Sequence, residues 1–348
     1  MTIRIWINGS GTSRIQAMDM LRNNPDNVPV EMIATRKEYN PSLDFADISS
    51  QEEPGNDVSD EEYGTWAIEF VRTHGITIAM PTTRMAALDN VSDELRHLGC
   101  ITMSPPAHID RLLDSKSATY RELAELGFEV PKHFVVDSSV AFRDAVWAIQ
   151  DMGHTACVKP DTGFGASGFR IITKETSLIR EVQDMDHILA YPKPAMWMEE
   201  YAQVLVRATK LGQKIRPLIV MPYMDGPEIS VDTVATHTGE PIVSVPRTKT
   251  RWYREFHAPD EAVATAQGIT RSLALPYLTN VQFRHLDGRP VLLEINPRPS
   301  AGTFHSQYTG VNLYWEAVKV ALGLDGAVPV PKLGGKVLIM HLAIPMPD

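Results

Sequence analysis

Polar side chains stand at alternate positions where an apolar segment, VLLEINPR, comes to its end. Glu294, Asn296 and Arg298 are spaced two residues apart, so on a β-strand they project from one face. A turn at Asp287-Gly288 predicts a hairpin that brings Gln282, on the preceding segment NVQF, close to Glu294. One carboxylate and two amide oxygens are hard ligands of the kind that Mg²⁺ prefers, and a guanidinium binds phosphate or carboxylate. The pattern predicts a magnesium site of Gln282, Glu294 and Asn296; the alternative is a solvated strand end.

A second group of candidates lies in CVKPDTGFGASGFRI. Lys159 lies near the end of a predicted strand, and Gly163, Gly165 and Gly168 follow in a short loop. Glycines let backbone N–H groups approach an anion closely, and the lysine adds a positive charge beside them. A dinucleotide-binding fingerprint would open a helix, whereas this loop leads into the strand FRIIT. A flap over the phosphates of a nucleotide fits the order of elements better, and a plain hairpin loop is the alternative.

Composition limits the classes of partner. The formal net charge of −10 argues against nucleic acid, whose phosphates attract basic surfaces. The two cysteines, Cys100 and Cys157, lack metal-type spacing and favour a reducing compartment. Neither a signal-peptide pattern at the N-terminus nor an apolar run of about 18 residues is found. We therefore expect a cytoplasmic protein with no nucleic-acid or membrane partner.

The first hundred residues alternate short apolar runs with helical patterns, which predicts a parallel sheet with helices on its faces. Ser59 and Glu62 form a plausible capping box for one of these helices, and the acidic stretch Asp47–Gly64 is interpreted as a solvated loop leading into it. The predicted strands are IRIWI, VEMIAT, ITIAMP and CITM, and the predicted helices are Arg14–Asn23, 60–73 and Met85–Leu98.

The segment SPPAH at Ser104–His108 marks the first domain boundary. We predict three domains: an N-terminal α/β domain at 1–106, a lobe with the glycine-rich loop at 107–220, and a lobe with the metal site at 221–348. The further predicted helices lie near 175–190, 194–211, Pro259–Leu273 and Leu313–Leu322, and the further strands are TACVKP, FRIIT, RPLIVMPYM, EISVDTVAT, EPIVSVPR, the hairpin NVQFRHLDGRPVLLEIN and KVLIMHLAI.

Three motifs occur in an order that resembles that of the ATP-grasp superfamily. They are Lys159 with the glycine loop, then MDGPEISVD, and then NVQF followed by LLEINPR. The pattern is most similar to the ATP-binding domains of the carbamoyl phosphate synthase type, and also to single-copy biosynthetic ATP-grasp proteins linked to tellurite-resistance gene clusters. The match runs from Asp114 to about Leu322. It implies a mixed α/β and α+β chain: an ATP-grasp fold preceded by a parallel-sheet, pre-ATP-grasp domain.

The resemblance implies nucleotide-binding roles for several residues. Lys116 in DSK would contact an ATP phosphate, and Lys159 would bridge the α- and β-phosphates. Glu228 in GPEISVD would bind the ribose hydroxyls. The hinge, Val220–Met224, would meet the adenine edge through its backbone. The remaining nucleotide-binding positions are Gly163, Gly165, Ser167, Gly168, Met221 and Tyr223.

The hinge departs from the family pattern. Met221 and Pro222 stand where the family has an acidic pair, so adenine selectivity would rest on main-chain groups. The segment EEY at Glu199–Tyr201 offers two acids, but we interpret it as part of an amphipathic helix.

The resemblance also implies the metal and catalytic groups. Gln282, Glu294 and Asn296 match the metal positions of the family. Arg298 matches an arginine that binds phosphate or the intermediate, and Arg247 in VPR matches a basic residue near the transferred phosphate. With Lys159, these two arginines are the predicted catalytic residues.

The implied activity is a carboxylate–amine or carboxylate–thiol ligase that uses ATP and Mg²⁺, with Mn²⁺ as an alternative cation. A substrate carboxylate would attack the γ-phosphorus, giving an acyl phosphate and ADP, and an amine would then displace phosphate. The expected partners are small carboxylates and amines, and we expect a homodimer. The alternative function is a catalytically silent subunit that binds nucleotide with the same fold.

Two further segments each have two interpretations. The turn NGSG at Asn8–Gly11 is either a structural strand-to-helix turn or a contact to the acceptor substrate, and its glycine spacing supports a nicotinamide-dependent oxidoreductase only weakly. The polar and aromatic segment Arg251–His257 either binds substrate or forms a mobile surface loop.

Overall fold

The computed structural model describes residues 2–9, 14–55, 57–163, 168–174, 195–250, 252–340 and 345–347. The chain forms two compact units, each built from segments distant in sequence. The first unit comprises Met1–Leu113, Pro227–Phe283 and Leu293–Asp348, and the second comprises Asp114–Gly226 and Arg284–Leu292. The three predicted domain ranges remain a prediction.

A parallel five-stranded sheet lies in the N-terminal part of the first unit, as predicted. Its strands have the order β3-β2-β1-β4-β5, so the chain adds strands first on one side of β1 and then on the other. Strand β1 is buried along almost its whole length because the helices that connect parallel strands cover both faces. The strands are β1 Ile3–Ile7, β2 Val30–Thr35, β3 Ile48–Ser50, β4 Ile78–Ala79 and β5 Ile101–Thr102.

The helices of this part follow the predicted pattern with two exceptions. The capping box of Ser59 and Glu62 is formed, with each side chain bonded to the other residue's backbone N–H. The predicted helix over 85–98 is two shorter helices, because Val91 leaves helical geometry (φ −116°, ψ 17°). The prediction of a loop at 47–64 was wrong in part, because this segment contains strand β3. The helices are α1 Arg14–Arg22, α2 Asp60–His74, α3 Met85–Asp89, α4 Ser92–His97 and α5 Ala107–Asp114.

The second unit contains a five-stranded sheet of order β6-β10-β7-β8-β9. Its core is formed where helix α7 packs Phe142, Val146 and Ile149 against strand residues that include Val158. The predicted helix at 175–190 lies outside the described residues. The elements are α6 Lys116–Glu125, β6 Phe134–Val136, α7 Ser139–Asp151, β7 Ala156–Pro160, β8 Arg170–Thr173, β9 Ala195–Trp197, α8 Met198–Lys210 and β10 Leu218–Pro222.

The interpretation of EEY as helical is confirmed. The first three residues after position 194 are strand β9, which pairs in parallel with β8, and helix α8 begins only at Met198. Glu199 forms a two-pronged ion pair with Arg143 of α7 at 2.7 Å, and Tyr201 stacks on Phe142. Glu199 and Tyr201 therefore hold α8 against α7.

A six-stranded sheet of order β15-β14-β11-β12-β13-β16 carries the C-terminal motifs. The predicted hairpin is confirmed, and positive φ at both Asp287 (51°) and Gly288 (79°) is the geometry of a type I′ turn. The segment 251–257, interpreted as a substrate or surface loop, contains strand β13, paired with β12 and β16. The elements are β11 Glu228–Ala235, β12 Pro241–Lys249, β13 Tyr253–Glu255, α9 Asp260–Ser272, β14 Tyr277–Leu286, β15 Arg289–Asn296, α10 Leu313–Leu322 and β16 Lys336–Leu338.

One hydrophobic core joins the two sheets of the first unit. It includes Ile5 of β1, Met18 of α1, Val245 of β12 and Trp315 of α10, all almost fully buried. Helix α10 therefore packs as a shared element of this core. In the part of the chain that the structure describes, no helix has the length and apolar character of a membrane span.

Candidate active site

The predicted metal ligands lie on the neighbouring strands β14 and β15, and Asn280 joins them. Gln282 donates its amide N–H to Asn280 Oδ1 at 2.9 Å, and Asn296 donates to the same oxygen at 3.5 Å. Asn296 Nδ2 also donates to Glu294 Oε1 at 3.2 Å. The structure thus brings all three predicted ligands into one hydrogen-bonded group.

This group fits a hard cation. The amide hydrogens of Gln282 and Asn296 are directed to Asn280 and Glu294, which leaves an amide oxygen on each for another partner. With the Glu294 carboxylate, the group offers an oxygen-only donor set, which suits Mg²⁺ in combination with phosphate oxygens. Among the described residues, no cluster of three or more His, Cys, Asp or Glu side chains could hold a metal ion.

Arg247 on β12 is held by a carboxylate that the sequence analysis did not identify. Its Nε and Nη2 atoms lie 2.9 and 2.8 Å from Asp232 Oδ2, and Nη2 also donates to Ser300 Oγ at 2.9 Å. Asp232 is fully buried and Arg247 is 3% exposed. Thr303 donates its hydroxyl to Asp232 Oδ1 at 2.9 Å. The predicted catalytic arginine is therefore fixed along the Nε–Nη2 edge of its guanidinium group.

Arg298 follows β15 and is partly buried, with the Arg14 guanidinium and the Glu294 and Asp110 carboxylates in its electrostatic surroundings. Burial lowers the pKa of Arg298, and the charge of Arg14 lowers it further, whereas Glu294 and Asp110 raise it. Arg14, the first residue of α1, is buried beside Tyr314, and burial lowers its pKa as well. A buried guanidinium that faces another gains from an anion, so this region is suited to a phosphate or carboxylate group.

The predicted ribose-binding residue, Glu228, is the first residue of β11 and lies 3.6 Å from Lys249 Nζ. Arg254 of β13 belongs to the same electrostatic neighbourhood, and its pKa is lowered by burial and then by Arg247. His305 Nδ1 donates a hydrogen bond to Gly302 O at 2.7 Å. Burial lowers the pKa of His305 to about 4, so it is neutral near pH 7.

In the second unit, Asp161 organises the segment that carries Lys116. Asp161 accepts hydrogen bonds from Ser115 Oγ at 2.7 Å and from the Ser117 backbone N–H at 2.8 Å, which fixes the start of helix α6. The Lys116 ammonium donates to Gly163 O at 2.7 Å and approaches Asp161 O at 3.4 Å. Two predicted phosphate-binding positions, Lys116 and the start of the glycine loop, are thus in contact.

The rest of the predicted loop and hinge lies around β7 and β10. Lys159 is buried on β7, and Gly168 (φ 72°) approaches Pro160 too closely for a side chain to be added without movement. Gly165 and Ser167 lie outside the described residues. Met221 is buried in an apolar cluster with Cys157, and the Tyr223 backbone N–H donates to Thr155 O at 2.7 Å.

Asn8, which follows β1, lies in the protein interior. Asn8 is 1% exposed; its amide donates to Tyr63 Oη and Thr83 O, and its oxygen accepts from the Thr82 N–H. Glu53 accepts from Gly9 N–H and Tyr63 Oη, and burial raises the pKa of this carboxyl group. These contacts occupy the polar atoms of Asn8, which favours a structural role for that residue, whereas Ser10 and Gly11 of the predicted turn lie outside the described residues.

Three buried residues were missed by the sequence analysis: Asp161, Asp232 and Asn280. A signal for two of them exists in the sequence, since polar residues recur at every second position along β11 (Glu228, Ser230, Asp232) and along β14 (Asn280, Gln282). Asp161 follows strand β7, which has no such pattern. Its hydrogen bonds go to the start of helix α6, which is distant in sequence.

Comparison with known proteins finds a family profile and several sequence relatives that are similar to this chain. A family profile described as "ATP-grasp in the biosynthetic pathway with Ter operon" matches residues 214–340. The carbamoyl phosphate synthase large chain of Streptomyces coelicolor is 24% identical over 214 residues, and that of Methanoregula boonei is 29% identical over 213 residues. Residues 214–340 therefore resemble the ATP-grasp superfamily, as do the sequence relatives. These matches cover 60% and 59% of the chain but only 18% and 19% of the two relatives.

Solved structures show the same ATP-grasp fold over nearly the whole chain. N5-carboxyaminoimidazole synthetase from Staphylococcus aureus superposes with a TM-score of 0.64 at 12% identity, covering 95% of this chain and 78% of that one. Biotin carboxylase from Campylobacter jejuni superposes with a TM-score of 0.63 at 16% identity, covering 96% and 74%. Identity this low shows the fold alone, and the predicted ATP-grasp fold with an N-terminal parallel-sheet domain is confirmed.

Proposed function

We propose that this chain is a ligase that joins a small carboxylate to an amine or a thiol with ATP and Mg²⁺. The observation that carries the proposal is the oxygen-only group of Gln282, Glu294 and Asn296, whose amide hydrogens are already bonded within the protein. Further support comes from a biotin carboxylase domain of the same fold, which was solved with MgADP, ADP and bicarbonate. The relatives that match by sequence are carbamoyl phosphate synthase large chains.

The reaction that we propose has two steps. A carboxylate oxygen of the substrate forms a bond to the γ-phosphorus of ATP, and the bond from that phosphorus to the β,γ-bridging oxygen breaks, releasing ADP. An amine nitrogen or thiol sulfur then attacks the carbonyl carbon of the acyl phosphate, releasing phosphate and a proton. Neither step needs a covalent bond to the protein, because phosphoryl transfer depends mainly on positioning and charge stabilisation.

The roles of the chain's residues follow from their chemistry. Lys116 and Lys159 would neutralise nucleotide phosphates, with backbone N–H groups of the glycine loop. Gln282, Glu294 and Asn296 would hold Mg²⁺, which when bound neutralises charge on the phosphate oxygens.

The two arginines would act on the groups that gain or carry negative charge. Arg247, fixed by Asp232 and Ser300, would present a guanidinium in one orientation to the transferred phosphate. Arg298, a partly buried guanidinium near that of Arg14, would bind the acyl phosphate or the substrate carboxylate. Mn²⁺ as a substitute cation, a homodimer and a cytoplasmic location remain predictions.

The experiment that tests the proposal measures ADP release from Mg-ATP with pooled small carboxylates, in the presence and absence of pooled amines and thiols. We expect ADP only when a carboxylate is present, and loss of it in Lys116→Ala. Lys132→Ala serves as the matched control because Lys132 is an exposed lysine of the same unit. AMP as the product, or carboxylate-independent ADP release, would contradict the proposed reaction. Nucleotide binding without turnover in any pool would favour the silent nucleotide-binding subunit.

A further inference from the structure

A continuous chain of hydrogen bonds leads from a buried ion pair to the proposed cation ligands. Arg247 donates to Asp232 Oδ2, and Asn280 Nδ2 donates to Asp232 Oδ1 at 2.9 Å. Asn280 Oδ1 in turn accepts from Gln282 Nε2 at 2.9 Å and from Asn296 Nδ2 at 3.5 Å. Asp232 and Asn280 are both fully buried, so water cannot replace these partners without entering the core.

The chemistry of this chain fixes the direction of every bond in it. A guanidinium only donates and an ionised carboxylate only accepts, so Asn280 must turn its NH₂ group, not its oxygen, toward Asp232. The Asn280 oxygen then faces the opposite way, where it can only accept. Gln282 must therefore turn its NH₂ group to Asn280, which directs its own oxygen away from it. The same holds for Asn296, whose NH₂ group is shared between Asn280 and Glu294.

We propose that Asp232 and Asn280 are positioning residues that select the oxygen atoms, rather than the NH₂ groups, of Gln282 and Asn296 for a divalent cation. This inference rests on the proposed function, because it takes these residues as the cation site. An amide at a metal position can present a donor as easily as a ligand, whereas a carboxylate presents oxygen in either orientation. The chain of bonds removes that ambiguity and accounts for a glutamine at a metal position.

The Asp232 carboxylate has hydrogen-bond donors other than Asn280. Its Oδ1 atom also accepts from Thr303 Oγ1 at 2.9 Å and from Ser300 Oγ at 3.3 Å. Removal of the Asn280 amide therefore leaves the carboxylate bonded on both oxygens. This allows Asn280 to be replaced by an apolar residue of similar volume without leaving an unpaired buried charge.

The test measures the Mn²⁺ affinity of the unmodified protein and its variants by calorimetric titration in the presence of saturating ADP. In Asn280→Leu the Gln282 amide can rotate, and we expect Mn²⁺ affinity to fall about 10-fold, as is typical when a partner of a metal ligand is lost. Thr279→Val is the matched control, because Thr279 is equally buried on the same strand and its hydroxyl has no hydrogen-bond partner among the described residues. We expect it to bind Mn²⁺ like the unmodified protein.

The double variant Asn280→Leu with Gln282→Glu gives the decisive comparison. A glutamate presents an oxygen in either rotation but also adds a negative charge, so we expect Gln282→Glu to raise Mn²⁺ affinity more in Asn280→Leu than it does alone, whereas a merely structural role of Asn280 would give equal gains. Unchanged affinity in Asn280→Leu, or equal gains from Gln282→Glu with and without Asn280→Leu, would overturn the inference and leave the proposed reaction standing. Failure of the unmodified protein to bind Mn²⁺ with ADP would contradict both the inference and the proposed function.

Discussion

Asp232 and Arg247 form an ion pair at 2.8 Å in which both side chains are almost completely excluded from solvent. The two residues lie on the neighbouring strands β11 and β12, where Arg247 is directly opposite Ser230 and so is offset by one same-face step from Asp232. A buried ion pair contributes little net stability unless other hydrogen bonds satisfy its remaining atoms. Here Ser300, Thr303 and Asn280 supply those bonds, so the arginine is held in one orientation.

Replacement of Glu294 tests the cation site directly. Glu294→Gln removes the one carboxylate of the predicted ligand set while keeping its size, and we expect turnover to fall at least about 100-fold. The side chain is only partly buried, so the folded state should be retained. Turnover, Mn²⁺ affinity and thermal unfolding are measured together. Glu125→Gln, an exposed glutamate at the end of α6, is the control, and equal losses in both variants would rule out a cation-binding role for Glu294.

The sequence predicts the elements that have a strong local pattern. Strands β11 and β14, the capping box at Ser59 and the Asp287-Gly288 turn all depend on neighbours within a few residues, and each is found where it is expected. The proximity of Gln282, Glu294 and Asn296 could be predicted for the same reason, since Glu294 and Asn296 belong to one strand of the hairpin; their role as metal ligands stays a prediction.

The sequence cannot show relationships that depend on packing between distant segments. Asp232 and Arg247 are 15 residues apart, and Ser300 is 53 residues from Arg247, so no spacing marks them as partners. Strand β3 was missed because its three residues carry too short an apolar pattern, and it exists through parallel pairing with β2. Val91 interrupts a helix that its neighbours otherwise favour.

A glycine beside Arg247 gives a second way to test that arginine. The position of Gly302 (φ −106°) suits any residue, but an added Cβ would collide with the Arg247 guanidinium. We expect Gly302→Ala to displace Arg247 from Asp232 and Ser300, lowering turnover about 10-fold and stability by about 1–3 kcal/mol. Gly326→Ala is the control because its Cβ would meet only the flexible end of Lys319. Unchanged turnover in Gly302→Ala would show that the orientation of Arg247 is unimportant.

Both cysteines should resist thiol reagents in the folded protein. Cys100 and Cys157 are 0% and 4% exposed, and burial raises the pKa of each thiol to about 12. Only about one molecule in ten thousand would carry a given thiolate at pH 8, and that thiolate would be inaccessible. We expect a disulfide-exchange reagent to release no colour from native protein and two equivalents after denaturation. Rapid reaction of either thiol in native protein would contradict this burial.

His305 predicts how stability depends on pH. Its pKa falls from 6.5 to about 4 because burial removes water, and the charges of Arg247 and Arg254 add to the effect. Between pH 6.5 and 4 the unfolded chain therefore binds a proton at this residue that the folded protein does not, so stability decreases as pH falls. The contribution is complete above pH 6.5, and its loss by pH 4 is expected to be about 3 kcal/mol.

His305→Asn separates this effect from the other acidic transitions. The Asn side chain can keep a donor for Gly302 O, replacing the 2.7 Å bond of the histidine ring, but it carries no proton that titrates. Urea unfolding of both proteins at several pH values gives the free energy of unfolding. We expect the variant to lose less stability than the unmodified protein between pH 6.5 and 4, and to differ little in slope above pH 7. Parallel curves for the two proteins over the acidic range would show that His305 accepts a proton in the folded state as readily as in the unfolded chain.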